Sequence, residues 1–443
     1  MADYSGSPNS LLLSSLPQEL LRLILSHFFD LQSLLSAVAS CRTLHSAFHS
    51  FPSPLIDSVL YRELDLPSRP EVIRITRARR LLDCGLSQPE LTDGRKQLLQ
   101  RGPETSLDWS LSEGIAAVQL RKNVADLSNT ICRQYLDNLA SHVKRGHEGT
   151  PSEAELDRIQ RALYRFETYC NVFPPLGAYT WPTDDVREEW TTFFDSCPSW
   201  EIEQVGSVHE SLFRLVAPVF NDCALHDISW GQDEVRYAYD YDDGRVEWLL
   251  SRGLGYVNRV LHATSFHERW LLFGGRKVLE HDCNWLYQTF ETYKNLFVAN
   301  RIGWMPSKTR CVKSDEIAVD ESISPVEKIW EWSHGEYYED SGDGRVRHDV
   351  AMEDSFRSLR ACGYVFWDEE RLKRIGWFDQ NVDDLELDVG EEIYKSSPSL
   401  RLEIRSWIIR SNLFREGKTG YWDGDPEATA IDPSQEWRLA KHE

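Results

Sequence analysis

The sequence predicts a mainly α fold, with an N-terminal module of three short helices followed by a larger, acidic, Trp-rich helical domain carrying a few short hairpins or loops. Three observations predict it. Apolar residues recur at three- and four-residue steps, the period that lays one face of a helix against a core; strand-like alternation is scarce; and composition changes near residue 150. Of 443 residues, 49 are Lys or Arg and 71 are Asp or Glu, a formal net charge of −22. Residues 1–150 carry 16 of each sign, so the whole acidic excess lies beyond them, and Trp109 is the only one of 16 tryptophans before Trp181. Two composition zones predict two modules. A chain of this length with 41% apolar residues has material for more than one core.

Residues 1–13 read as a disordered N-terminus. Residues 14–51, "SSLPQELLRLILSHFFDLQSLLSAVASCRTLHSAFHSF", are far more apolar than the rest of the chain. Ser15 is placed to cap a helix with Gln18 at capping-box spacing, and Pro17 falls in the first turn, where a missing N–H costs nothing. Leu20, Leu21, Leu23, Ile24, Leu25, Phe28 and Phe29 then spread over roughly 240° of that helix, at about 100° per residue. A surface helix needs a stripe of only about 100° or a little more. Asp30 is placed to cap a second helix with Leu31, Leu34, Leu35 and Val38 on one side, and Leu44, Ala47, Phe48 and Phe51 space a third. So small a unit cannot bury enough surface to stand alone. Its surplus apolar arc has to be covered, either by the rest of this chain or by another protein.

These residues resemble an F-box: Leu16-Pro17, acidic Glu19, Leu20, the Ile24-Leu25 pair, a second leucine-rich helix and a "CRTLHSAF" ending. The resemblance covers about a tenth of the chain. It implies three helices that dock on the small adaptor subunit of an SCF-type ubiquitin ligase, and through it on a cullin. The adaptor-binding residues it implies are Leu16, Pro17, Leu20, Ile24, Leu25, Phe28, Leu31 and Leu34. The chain departs from the family at Leu44, where the third helix often carries a tryptophan or another large aromatic.

Residues 52–150 read as a helical linker region that includes a long helix over 113–145, with Ala117, Leu120, Val124, Leu127, Ile131, Tyr135 and Leu139 at helical steps. "GHEGTPS" breaks it, and a helix capped over "SEAE" runs from about Ser152 to the stop "PPLG". Residues 151–416 read as the acidic Trp-rich domain, with helical spacings over 199–220, 246–262, 267–273, 281–299, 351–361, 368–375 and 399–414. The Gly- and Asp-rich stretches 231–245 and 333–349 read as loops or short hairpins. Residues 417–443 read as a flexible tail. "RIQRALYRFETYCNVF" and "SWEIEQVGSVHESLFRLV" are similar to the C-terminal region of many large fungal F-box proteins, a likeness that supplies no mechanism.

Composition narrows the chemistry. An acidic field repels a phosphate backbone, and the best basic run, Arg74 to Arg80, lacks interleaved aromatics, so no nucleic-acid partner is expected. No run reaches the roughly 18 apolar residues of a membrane span, and "MADYSGSPNS" has no basic leader, so no membrane is expected and the compartment read is cytoplasmic or nuclear. Nine cysteines without a CxxC pair argue against a disulfide framework and a zinc site, and no metal or cofactor is expected. His226-Asp227, His281-Asp282 and His348-Asp349 invite a metal-hydrolase reading, which needs further ligands in one pocket. Two Asp-Gly-Arg-Val loops put Arg245 and Arg345 where a calcium loop starting at Asp240 or Asp340 needs its glycine, and read better as turns. Most tryptophans are assigned to cores. Those beside acids, Trp248, Trp330 and Trp332, with Tyr239, Tyr241, Tyr337 and Tyr338, are the candidate target-binding residues, suited to a basic partner. The function expected is a substrate receptor with no chemistry of its own. The alternatives are an F-box scaffold outside any ligase, or a hydrolase assembled from the His-Asp pairs.

Overall fold

The computed structural model describes residues 13–64, 68–99, 107–142, 149–177, 189–190, 192–194, 196–275, 280–281, 283–301, 325–334, 336–338, 345–347, 351–352, 354–380, 382, 385, 387 and 400–423. The chain is mainly α, as its sequence predicts, and divides into two compact units: Met1–Arg77 with Gly102–Lys122, and Ala78–Arg101 with Asn123–Glu443.

In the first unit, α1 (Gln18–Ser26), α2 (Leu31–Ser40) and α3 (Arg42–His49) form where the apolar spacing places them. Asp30 caps α2, accepting from the Ser33 amide at 2.7 Å and the Ser33 hydroxyl at 2.8 Å. Ser15 does not cap α1. Leu13–Ser15 is a 3-10 turn, and Pro17, its ring fixing φ at −56°, holds the N-cap position with no side-chain cap. Leu21, Leu25, Leu31, Leu34, Val38, Leu44, Ala47 and Phe48 are buried together with Leu55, Ile56, Val59 and Leu60 of a fourth helix, α4 (Pro52–Glu63). The predicted boundary at residue 51 is therefore too early: a three-helix core is too small, and the segment read as linker supplies the helix that closes it. The unit continues into α5 (Arg69–Asp83). After α6 (Gln88–Leu99) of the second unit, it takes in the start of α7 (Leu111–His142). A Cβ on Gly114 would lie 2.9 Å from Ile56 Cγ2, so α7 approaches α4 where only a glycine fits.

The second unit is organised around buried helices. Val124, Leu127, Ile131, Tyr135 and Leu139, apolar positions read from the sequence in its part of α7, are buried, as are Ala117 and Leu120 in the part that belongs to the first unit. α8 (Glu153–Val172) starts at the capping box of Ser152 and Glu155. α9 (Ser199–His226) is buried on nearly every side and packs against α8, α11 (Gly244–Ser251) and α12 (Leu254–His262). The short α10 (Ile228–Gln232) follows α9 directly. α13 (Phe266–Leu272), α14 (Leu286–Arg301), α15 (Pro325–Ser333), α16 (Arg357–Ala361), α17 (Glu369–Arg374) and α18 (Leu400–Arg415) complete the helices among the described residues. Two antiparallel strand pairs join them: β1 (Leu176–Gly177) with β2 (Cys283–Asn284), Leu176 opposite Asn284, and β3 (Glu336–Tyr338) with β4 (Arg345–Arg347), Tyr337 opposite Val346. The second pair falls in a stretch read as loops or short hairpins. The described cysteines form no disulfide with one another.

The single helix predicted over 246–262 is two. Gly253 breaks it at φ 84°, ψ 170°, a region open to glycine alone, and a Cβ there would stand 2.8 Å from the Glu167 carboxylate, which accepts from the Leu254 amide at 2.7 Å. Gly253→Ala is expected to lower the stability of the second unit by about 1–3 kcal/mol. Urea unfolding of the full chain with an unchanged midpoint would contradict this. The tail also differs from expectation in its first residues. The Ile228 amide donates to Gly420 O, the Trp422 amide donates to His226 O, and Trp422 is buried. Residues 424–443 of that predicted tail, and 1–12 of the predicted disordered start, lie outside the described residues.

Candidate docking surfaces

In the first unit the apolar surplus of α1 reaches the surface. Leu21 and Leu25 face the core, while Leu20, Leu23 and Ile24 are exposed, as are Leu13, Phe51 and Phe29, the last at 81%. The entry to this surface is held by Arg22, whose guanidinium lies 5.2 Å from the Phe51 ring centroid and donates to the Ser50 hydroxyl at 3.0 Å. Arg62 fixes the α1–α2 corner through two bonds to Phe28 O, at 3.1 and 3.2 Å. Of the eight residues expected to meet an adaptor, Pro17, Leu20 and Ile24 are exposed, and Leu16 and Phe28 are half-buried. Leu25, Leu31 and Leu34 are corrected to core positions, at 0%, 2% and 0% exposure. They occupy the inner side of α1 and α2, where α4 covers them. Leu23, Phe29 and Phe51 take their place on the surface. The wide apolar arc signals an exposed side, but not which residues it holds.

The seven aromatics proposed for a target do not form one face. Tyr241 is buried and accepts from Arg214 at 2.8 Å; Trp330 is buried with its ring 3.5 Å from that of His334. Trp248 and Trp332 are half-buried in internal stacks, Trp248 on His281 at 3.9 Å and Trp332 on Phe378 at 5.2 Å. Tyr337 and Tyr338 lie in β3, opposite Val346 and Arg345. Of the seven, Tyr239 lines the cavity described next.

That cavity measures about 460 Å³, with walls that include Val235, Tyr237, Tyr239, Ile404 and Trp407. The buried Glu403 carboxylate beneath it accepts from the Tyr237 amide at 3.2 Å and from the Tyr239 hydroxyl. Burial, and then the bond to Glu403, push the Tyr239 phenol well above its ordinary pKa. Tyr237 is buried, and among the described residues its hydroxyl has no hydrogen-bond partner. α18, which supplies one wall, is oriented by polar side chains. The Ser406 hydroxyl donates to Leu225 O at 2.6 Å, Arg410 Nη1 to Asp227 O at 2.7 Å, and the Ser411 hydroxyl to Gly231 O at 2.8 Å. Gly231 permits that approach, since a Cβ there would be 2.5 Å from Arg410 Cβ. The helical spacing over 399–414 reveals the helix but carries no sign that its polar side faces inward.

Of the three His-Asp pairs, His226-Asp227 alone lies wholly within the described residues. The Asp227 side chain caps α10, accepting from the Trp230 amide at 2.7 Å, while His226 Nδ1 donates to Trp422 O at 2.6 Å. His281 stacks on Trp248, and Asp282, His348 and Asp349 lie outside the described residues. Among the described residues no group of three or more His, Cys, Asp or Glu is placed to hold a metal ion. Asp243 of the first Asp-Gly loop is the N-cap of α11, accepting from the Arg245 and Val246 amides. In the basic run, Arg74 pairs with Glu71 and Arg79 with Glu167. No helix among the described residues is long and apolar enough to cross a membrane.

Burial raises the Asp227 carboxyl from its ordinary value to about 6. An acid raised in the folded state destabilises it at pH above that value, and the penalty disappears as pH falls below the unfolded pKa near 4. Asp227→Asn keeps an N-cap oxygen without the charge. The variant is expected to match the wild type near pH 4 and to exceed it by about 2 kcal/mol above pH 6. Equal stability curves across that window would refute the assignment.

Compared with known proteins, the chain matches no family model, no curated protein and no solved structure.

Proposed function

We propose that the chain is a substrate-receptor subunit of an SCF-type cullin ubiquitin ligase, docking the adaptor through the first unit and a target protein through the second. The observation that supports this is α1, whose inner residues Leu21 and Leu25 complete a core while Leu20, Leu23 and Ile24 stay exposed beside Phe29 and Phe51. Exposed apolar side chains concentrated on one short helix and its neighbours are a docking signature. Each such side chain removed from water contributes about 1.5–3 kcal/mol. The resemblance of residues 14–51 to an F-box names the partner that would cover it. On this reading the protein does no chemistry. It holds a target lysine near a charged ubiquitin carrier and acts by raising effective concentration.

The test mixes the purified full chain with the adaptor–cullin complex and follows sedimentation, then ubiquitin transfer to proteins bound by the second unit. A stoichiometric complex that transfers ubiquitin is expected. A complex with no transfer to any bound protein points to the scaffold role, and no complex at micromolar concentration removes the adaptor from the proposal.

A further inference from the structure

Glu403 is a buried acid with no base beside it. At 7% exposure it accepts from the Tyr237 amide at 3.2 Å and from the Tyr239 hydroxyl, and among the described residues no cation lies within ion-pairing distance. Arg410, two turns along α18, is committed elsewhere, to Asp227 O at 2.7 Å and the Ser406 hydroxyl at 2.8 Å. The other buried glutamates each pair with an arginine or, for Glu247, with His209, and the buried Asp227 caps α10. A buried charge without a counter-ion is costly, and it persists where something else supplies the opposite sign.

What Glu403 meets is the cavity of about 460 Å³, a volume within the roughly 300–1,000 Å³ of ligand sites. Tyr239 and Trp407 give it aromatic walls, and Val235 and Ile404 apolar ones. Its other charges cancel in pairs. Arg245 is held by Asp243, while Glu234 and Arg236 are both exposed, with opposite signs, where water weakens each. Glu403 is thus the unbalanced charge of the wall. We propose that the cavity binds an organic cation, an ammonium head on an apolar body, with Glu403 as its counter-ion and the rings of Tyr239 and Trp407 against its charge and stem. Aromatic faces attract such a head, and the net charge of −22 draws cations toward the chain. A neutral ligand would leave the carboxylate uncompensated. A metal ion would lack the further oxygen ligands it needs, since no group of three His, Cys, Asp or Glu among the described residues is placed to hold one. Each Glu403 oxygen already accepts one bond, which suits a compact ammonium better than the two parallel bonds of a guanidinium. A free amine and a lysine side chain of a bound protein carry this same head.

The site goes beyond the docking proposal and stands whether or not α1 meets an adaptor. Phenethylammonium is titrated against the full chain by calorimetry at neutral pH, beside phenethyl alcohol and phenylacetate, its neutral and anionic counterparts. The amine is expected to bind at least tenfold tighter than the alcohol, and phenylacetate not at all. Glu403→Gln keeps the shape of the side chain and removes its charge. It is expected to weaken amine binding at least tenfold, to leave the alcohol unchanged, and to melt at or above the wild-type temperature, because the buried charge is gone. Trp407→Ala, at an exposed position of α18, tests the site without touching the buried acid. It is expected to weaken the amine about tenfold, and Trp407→Phe to restore most of that loss. A short glycine peptide with one central lysine, set against its norleucine counterpart, separates the sources: tighter than the free amine where the head belongs to a protein, weaker where the ligand is a free amine. Equal affinity for amine and alcohol, binding of phenylacetate in place of the amine, or no amine binding at millimolar concentration overturns the proposal. So does a Glu403→Gln variant that melts lower and keeps its amine affinity, which would assign the carboxylate to the fold alone.

Discussion

Arg360→Met is expected to destabilise the second unit by about 3–5 kcal/mol at neutral pH, a large share of the roughly 5–15 kcal/mol that holds a domain folded. Arg360 is 1% exposed and donates to two carboxylates of α9: Nε and Nη2 to Glu210 Oε1 at 3.0 and 2.8 Å, and Nη1 to Glu203 Oε1 at 3.2 Å. Glu203 also accepts from the Tyr364 hydroxyl at 3.1 Å and from the Met352 amide. Arg214 stands 4.0 Å from Glu210 and donates to Tyr241, so the cluster balances two cations against two anions. Methionine fills much of the arginine's volume, and the cost it exposes is therefore electrostatic. Two carboxylates would share a dry site with one distant cation, and breaking such a group is far more costly than never having built it. The sign with pH is set by Glu203, whose carboxyl is already raised, by burial first and against the pull of Arg360. Removing the arginine raises it further, so the deficit of the variant is largest at neutral pH and shrinks as pH falls below the ordinary glutamate pKa of about 4.5, where the carboxyl becomes neutral in both states. Urea titrations at the two pH values check this. A deficit that does not change with pH would assign the loss to packing. Adding Glu203→Gln to Arg360→Met is expected to restore part of the stability at neutral pH.

This cluster marks a boundary of what the sequence discloses. α7 is legible because it presents one apolar face at a steady period, and at the start of α8 the Ser152 to Glu155 capping box is a local signal that the structure realises as written. In α9 the apolar positions Val205, Val208, Leu212 and Val216 are legible for the same reason, whereas Glu203, His209, Glu210 and Arg214 on the same helix are equally buried. Their partners lie far along the chain, Glu247 for His209 and Arg360 for the two glutamates, and period alone assigns such side chains to water. α18 is the same failure reversed. Its inward polar side is stabilised by carbonyls at the end of α9 and in α10, groups that every residue carries and that no pattern in the sequence advertises. The candidate aromatics fail for a third reason. Acid next to tryptophan reads as a solvated surface, but Trp248 and Trp330 each stack on a histidine. Among the candidates Tyr239 reaches the cavity wall, and its neighbours there, Tyr237 and Trp407, carry no sequence signal that sets them apart from core aromatics.

Ile24→Asp and Leu25→Asp, one residue apart, are expected to abolish adaptor binding for different reasons. Ile24 is 42% exposed on the outer side of α1, and Leu25 is 0% exposed in the core of the first unit. At Ile24 an aspartate remains solvated in the free protein and costs the fold little. On docking it would give up the apolar contact and bring an unpaired charge to an apolar surface, together about 3 kcal/mol or more and so at least a hundredfold in affinity. At Leu25 the same side chain is driven into the packing against α3 and α4, where loss of the leucine alone costs about 2–5 kcal/mol before the charge is counted. That is enough to unfold a unit of this size. Binding assays see one result in both variants. Hydrogen exchange of α1 to α4 separates them, with protection retained in Ile24→Asp and lost in Leu25→Asp. If Ile24→Asp kept its affinity, the exposed side of α1 would not be the adaptor contact. If it lost protection as well, Ile24 would belong to the core, and the outward apolar face that supports the docking proposal would not exist.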